Sequence, residues 1–183
     1  MYRGFLALLL LVSFSVMAYE EPGFTIVLET ESYEIRFYDQ RLVVQAVSEN
    51  EDNTFMKLFR YISGSNSQSQ KIAMTVPVTQ FSENSNSYMQ FYLPETFNEE
   101  TAPIPEDASL QIQTLESGYF AAIRYSGRPN ERNFLRHADL LKNALIGADV
   151  AIIGPPIMAT YNGPFTLPML RRNEALYQVE WQN

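Results

Sequence analysis

YEIRFYDQRLVVQAVSENEDNTFMKLFRYISG, residues 33–64, is the stretch whose reading decides the fold. Its first six residues alternate. Tyr33, Ile35 and Phe37 fall on one side and Glu34 and Arg36 on the other, the period-two pattern of a strand with one covered face. Asp39-Gln40 makes a turn, and Arg41 to Val47 (RLVVQAV) is a second run rich in β-branched residues, so the segment predicts a hairpin. The period then changes. Phe55, Leu58, Phe59 and Ile62 recur at helical spacing while Lys57 and Arg60 point elsewhere, predicting an amphipathic helix from about Asp52 to Ser63. Asn50, Asp52 and Asn53 offer N-caps, and Gly64 is a fitting stop.

The same succession returns in residues 110–147. LQIQTLE alternates, Ser117-Gly118 turns, and YFAAIRY (119–125) is predicted as the return strand. Pro129 suits the first turn of a second helix that runs to Ile146, with Gly147 as its stop. Phe134, Ala138, Leu141 and Leu145 form its apolar stripe, opposite Arg136, Asp139 and Lys142. The two segments share a pattern but hardly any identities, so the repeat lies at the level of structure. Around them, Phe24–Glu29 predicts a first strand, Met89 to Leu93 another, and the alternation of Tyr177, Val179 and Trp181 a last one. Met74–Phe81 alternates too, but Pro77 lacks a backbone donor, which predicts an edge strand or a bulge. Short strands are expected on either side of Gly154-Pro155-Pro156, and Pro94–Ser109 reads as a long exposed acidic loop. Two strand–strand–helix units with extra strands predict an α+β fold: a pseudo-symmetric, distorted antiparallel sheet or barrel flanked by two α-helices.

Composition narrows the chemistry. There is no cysteine among 183 residues, which excludes disulfides, thiolate metal sites, a cysteine nucleophile, Fe–S clusters and covalently attached heme. The single histidine, His137, excludes a multi-histidine metal centre. The formal charge is −8, and no basic cluster interrupts it, so neither nucleic acid nor an anionic membrane surface is an expected partner. No G-x-S-x-G elbow and no phosphate-binding glycine loop is present, and no enzymatic activity is expected. Residues 1–18, MYRGFLALLLLVSFSVMA, have a positive start at Arg3, an apolar run from Phe5 to Phe14, and Val16 and Ala18 at the −3 and −1 positions of a cleavage site. They read as a signal peptide, with residues 19–183 as the mature domain, exported to the periplasm or secreted. The alternative is an uncleaved anchor, for which the run is short.

The quoted segments also carry a resemblance. YEIRFY, FMKLFRYISG, KIAMTVPV and YNGPFTLPMLRRNEALYQV, in this order and spacing, resemble the SOUL heme-binding proteins over essentially the whole of residues 19–183. The resemblance implies non-covalent binding of heme or a related tetrapyrrole, for carriage, buffering or scavenging. It implies that the porphyrin lies against the first helix, so Phe55, Met56, Phe59, Arg60 and Ile62 are candidate contacts. This chain has Phe55 and Phe59 where relatives often have methionine. Arg171 and Arg172 of the RRNE segment are candidates to meet the propionates.

Chemistry alone supports such a site: a flat apolar plate with two carboxylates needs a greasy surface with cations at its rim. Phe55, Met56 and Phe59 with Lys57 and Arg60 supply both, although the same stripe is what a core-facing helix shows. His137 is the candidate axial ligand, since imidazole is a common heme-iron ligand; its other reading is a half-buried packing residue on the second helix. The distantly similar GyrI-like effector-binding domains suggest a second possibility, a binding module or hydrolase for other apolar molecules. An inward Glu174 beside Tyr161 would favour it, whereas Glu174 paired with Arg171 or Arg172 would be structural. The acidic 94–109 loop leaves a third possibility, a surface for a protein partner of unknown identity.

Overall fold

A computed structural model describes residues 19–48 and 53–182 of the chain. The predicted leader, residues 1–18, and the candidate caps Asn50 and Asp52 lie outside the described residues. Among the described residues, no helix is long and apolar enough to cross a membrane.

Among the described residues, nine strands form one antiparallel sheet with two α-helices: β1 (Thr25–Glu29), β2 (Glu34–Tyr38), β3 (Arg41–Ser48), α1 (Thr54–Ile62), β4 (Val78–Glu83), β5 (Asn86–Tyr92), β6 (Leu110–Leu115), β7 (Gly118–Tyr125), α2 (Glu131–Gly147), β8 (Ile157–Thr160) and β9 (Asn173–Val179). The order across the sheet is β1-β2-β7-β9-β8-β4-β5-β3-β6. A pseudo-twofold axis therefore passes between β8 and β4. It relates β9 to β5, β7 to β3 and β2 to β6, with β1 added at one edge. The repeat inferred from the sequence is real, and it takes in the two strands after each helix as well.

The predicted hairpins are not hairpins. β2 pairs with β1 and β7, and β3 pairs with β5 and β6, so the two strands around Asp39-Gln40 sit second and eighth in the sheet. Likewise β6 pairs with β3 while β7 pairs with β2 and β9. Each short connection carries the chain from one half of the curled sheet to the other. Alternation fixes which face of a strand is covered but says nothing about which strand lies beside it. Pro77 gives a second correction: it precedes β4 in a cis peptide with Val76, and β4 lies in the middle of the sheet, between β8 and β5.

Both helices cover the same face. α2 buries Phe134, Ala138, Leu141 and Leu145, the predicted stripe, on Ile35, Ala121, Tyr125, Ala175 and Tyr177 of β2, β7 and β9. Asn130 caps it by accepting from the Asn133 N–H at 3.0 Å. α1 buries Thr54, Leu58, Tyr61 and Ile62 on Val44, Ala46 and Phe91 of β3 and β5. That differs from the predicted stripe, because apolar residues occur all round this helix. Tyr61 settles its rotation: the ring is fully buried and the hydroxyl donates to the Pro103 carbonyl at 2.8 Å. Pro103 and Ala102 are themselves buried, so the 94–109 connection is partly a lid over the α1 core, not wholly the exposed excursion its composition suggests.

Candidate functional site

Two surfaces carry chemistry. The first is the outer face of α1. With Leu58, Tyr61 and Ile62 turned inward, Phe55, Met56 and Phe59 are left 44%, 43% and 43% exposed. Positions 55, 56 and 59 share one side of a helix. The Phe55 and Phe59 rings lie nearly parallel, 12° apart with centroids at 6.2 Å, and Phe55 also meets Phe91 edge-on at 5.2 Å. Arg60 follows on the exposed side, and the Lys57 ammonium donates to the Ser109 hydroxyl at 3.0 Å. Ile62, by contrast, belongs to the core.

The other sequence-derived candidates lie elsewhere. Arg171 donates to the Thr166 carbonyl at 2.9 Å and the Pro164 carbonyl at 2.6 Å, bracing the loop before β9. Arg172 is committed to ion pairs on the sheet face opposite the helices. His137 stacks on Tyr125 at 4.1 Å, 6° from parallel. Its Nδ1 lies 2.7 Å from the Asn133 carbonyl, which can only accept, so Nδ1 is the donor of this contact. It sits on α2, whereas the aromatic patch sits on α1.

The second surface is the concave face of the sheet, and it centres on Glu174. Alternation along β9 turns Asn173, Ala175 and Tyr177 toward α2 and Glu174 the other way, where its side chain is fully buried. Arg36 Nη1 donates to its Oε2 at 2.7 Å and Nη2 to Oε1 at 3.3 Å. Arg172 Nε reaches Oε1 at 3.0 Å, and the Tyr161 hydroxyl donates to Oε2 at 2.8 Å. Each arginine holds a further carboxylate. Arg36 Nε donates to Glu34 at 2.7 Å, and Arg172 makes two 2.8 Å bonds to Glu21. Burial alone would raise the Glu174 carboxyl; the hydrogen bond and charge of Arg36, the charge of Arg172 and the Tyr161 hydroxyl outweigh it and hold the group below the ordinary glutamate value. Burial pushes the Tyr38 hydroxyl up to about 12 against the pull of Arg36, so it is neutral at physiological pH. Across the pseudo-twofold, Gln90 takes the place of Glu174, since Thr79 and Ala159 face each other and pair with Gln90 and Glu174 respectively. Gln90 donates to Gln45 at 2.7 Å and accepts from Thr79 at 3.1 Å.

Between these two polar clusters lies a cavity of about 430 Å³, walled by Tyr38, Tyr92 and Phe120 and bordered by Arg41. Arg41 stacks its guanidinium over Tyr38 at 4.4 Å and faces Phe120 at 5.1 Å. Sequence reading singled out Glu174 and Tyr161 but missed Arg36 and Arg41. Both occupy the polar side of an alternating strand, which in an isolated hairpin faces water; only the curl of the sheet encloses them.

The fold has known likenesses. The EcmrR C-terminal domain superposes with a TM-score of 0.62 at 9% identity, covering 81% of this chain and 96% of that one. An uncharacterized conserved protein from Listeria innocua gives 0.63 at 8% identity, covering 82% and 93%. A hydrolase from the same organism gives 0.59 at 9%, covering 84% and 94%. At such identities these likenesses concern the fold alone. Sequence relatives are nearer. Heme-binding protein 1 of Xenopus laevis is 29% identical over 129 residues, 67% of this chain and 67% of that protein. Heme-binding protein 1 of Sus scrofa is 28% identical over 125 residues, 64% and 65%. The chain thus spans about two thirds of the length of these relatives. The family model described as SOUL heme-binding protein matches residues 19–178, nearly all of the described chain, and the protein belongs to the SOUL heme-binding protein family.

Proposed function

We propose that this protein binds heme or a related tetrapyrrole non-covalently on the outer face of α1, as a carrier, buffer or scavenger without enzymatic activity, in an exported compartment such as the periplasm. The observation that carries the reading is the exposure of Phe55, Met56 and Phe59 on a helix whose buried face is already complete. A core-facing role accounts for Leu58, Tyr61 and Ile62 but not for two parallel phenyl rings open to solvent. A porphyrin would cover those rings, and Arg60 supplies a cation for a propionate. Met56 is the side chain on this patch with an iron-ligating atom; His137, on α2, is the candidate if ligation comes from elsewhere.

A hemin titration followed by Soret absorbance tests this. One-to-one saturable binding is expected, weakened at least tenfold by Phe59→Asp and by Arg60→Glu. Binding indifferent to both changes would refute the site. Loss of the ferric ligand signature in His137→Ala alone would move it to α2.

A second reading, a small-molecule module of the kind GyrI-like domains form, is favoured by the inward Glu174 beside Tyr161 and by the cavity on the concave face, whereas the pairing of Glu174 with Arg172 is the arrangement expected of a structural glutamate. Hydrolysis fits poorly there. A carboxylate held by two guanidiniums and a phenol, with its pKa lowered, is a weak general base.

A further inference from the structure

We propose that the concave cavity is a second binding site, that its ligand is an aromatic carboxylate, and that Arg41 is the residue that grips it. Charge pairing inside the cavity separates the possible ligands. Every carboxylate near the Glu174 cluster is engaged: Glu174 by Arg36, Arg172 and Tyr161, Glu34 by Arg36, and Glu21 by Arg172. A cation entering the cavity would find no free carboxylate in its interior. The other acids on its lining, Glu83 and Glu116, are exposed to solvent and screened.

Arg41 is in the opposite condition. Its Nε and Nη2 are buried and have no hydrogen-bond acceptor among the described residues. These two nitrogens form the side-on fork that holds a carboxylate through two parallel bonds. Buried donors without an acceptor are unfavourable, so this point favours a two-oxygen acceptor. The Arg41 side chain borders open space on two sides. Arg41 and Tyr92 form a wall between the 430 Å³ cavity and a neighbouring one of about 340 Å³. The two arginines and three glutamates of the Glu174 cluster carry one surplus negative charge, which Arg41 balances at longer range. The preference for an anion thus comes from the unmet fork, not from a positive field. The rest of the lining states the ligand's body: the rings of Tyr38, Tyr92 and Phe120 with Leu176 and Ile157 suit a flat apolar group of one or two rings.

The site is independent of the α1 patch, so either can fail without the other. The test is an equilibrium titration of the full chain, followed by ligand fluorescence, with 2-naphthoate, its neutral alcohol 2-naphthalenemethanol and its cation 2-naphthylmethylammonium. The unsubstituted protein is expected to bind naphthoate one-to-one and at least tenfold more tightly than the alcohol, with the cation weakest. Arg41→Met should reduce naphthoate to the level of the alcohol, Arg41→Lys should keep part of the preference, and Phe59→Asp, which weakens hemin, should leave naphthoate binding as it is. Hemin binding should survive Arg41→Met. The ranking of the three ligands needs no variant and decides the matter even if Arg41→Met does not fold. A cation bound as well as the carboxylate, naphthoate binding unchanged in folded Arg41→Met, or no saturable binding of naphthoate would overturn the proposal. Loss of hemin together with naphthoate in Arg41→Met would merge the two sites and overturn their independence.

Discussion

Replacing Glu174 by glutamine tests the buried ion cluster most directly. The side chain keeps its size and one acceptor oxygen but loses its charge between two guanidiniums. Removing one partner of a buried ion pair typically costs about 3–5 kcal/mol, because the other charge is left uncompensated. Here both arginines keep a second carboxylate, Arg36 through Glu34 at 2.7 Å and Arg172 through Glu21 at 2.8 Å. The cost should therefore lie near the lower limit, about 3 kcal/mol. For a domain of this size that corresponds to a fall in Tm of roughly 6–12 °C. The pH dependence gives a second signature. The folded carboxyl titrates below its unfolded value of about 4.3, so its contribution is complete above about pH 5 and is lost as pH falls through the folded pKa. Urea melts of the parent and of Glu174→Gln should show a constant gap between pH 8 and 5 that closes on further acidification. A gap under about 0.5 kcal/mol at pH 7, the size of an ordinary surface change, would refute the assignment of Glu174 as the hub. A gap that widens in acid would refute the sign of its pKa shift.

Two other predictions concern the scaffold. Leu58→Ala, at a fully buried position between α1 and the sheet, should destabilise by about 2–5 kcal/mol in urea melts and weaken hemin binding by loosening the helix that carries Phe55 and Phe59. Gly127→Ala should cost about 1–2 kcal/mol, because φ is +102° and the new Cβ would lie 2.9 Å from the Asn133 amide nitrogen, itself tied to the Ser126 and Arg128 carbonyls. Thermal melts of that variant check it.

The sequence showed some features of this molecule clearly and hid others for physical reasons. The α2 stripe was legible because Arg136, Asp139 and Lys142 mark its solvent side without ambiguity. The α1 stripe was not, since Phe55, Met56, Phe59 and Tyr61 leave no polar sector wide enough to fix the rotation, and a hydroxyl–carbonyl bond to the distant Pro103 decides it. That misreading bears on function: residues taken equally well for core turned out to be the exposed ones. Strand existence was read correctly from alternation at Tyr33–Tyr38 and Leu110–Leu115, but partner choice depends on contacts between residues far apart in the chain. The same limit hid Arg36. Charge on the open side of a strand normally signals water, and only the return of β9, 138 residues later, supplies its partner.

The crossing of β2 to β3 and of β6 to β7 makes the two repeats depend on each other. Each half of the sheet contains three strands of one repeat and one strand donated by the other: β2 beside β7, β9 and β8, and β6 beside β3, β5 and β4. Residues 93–109 join the two repeats, and the exchange of β2 and β6 interlocks them. Neither repeat completes its half of the sheet alone, because each half takes an outer strand from the other repeat. The concave cavity accordingly lies between two interlocked halves, and its chemistry is lopsided, with Glu174 on one side and Gln90 on the other.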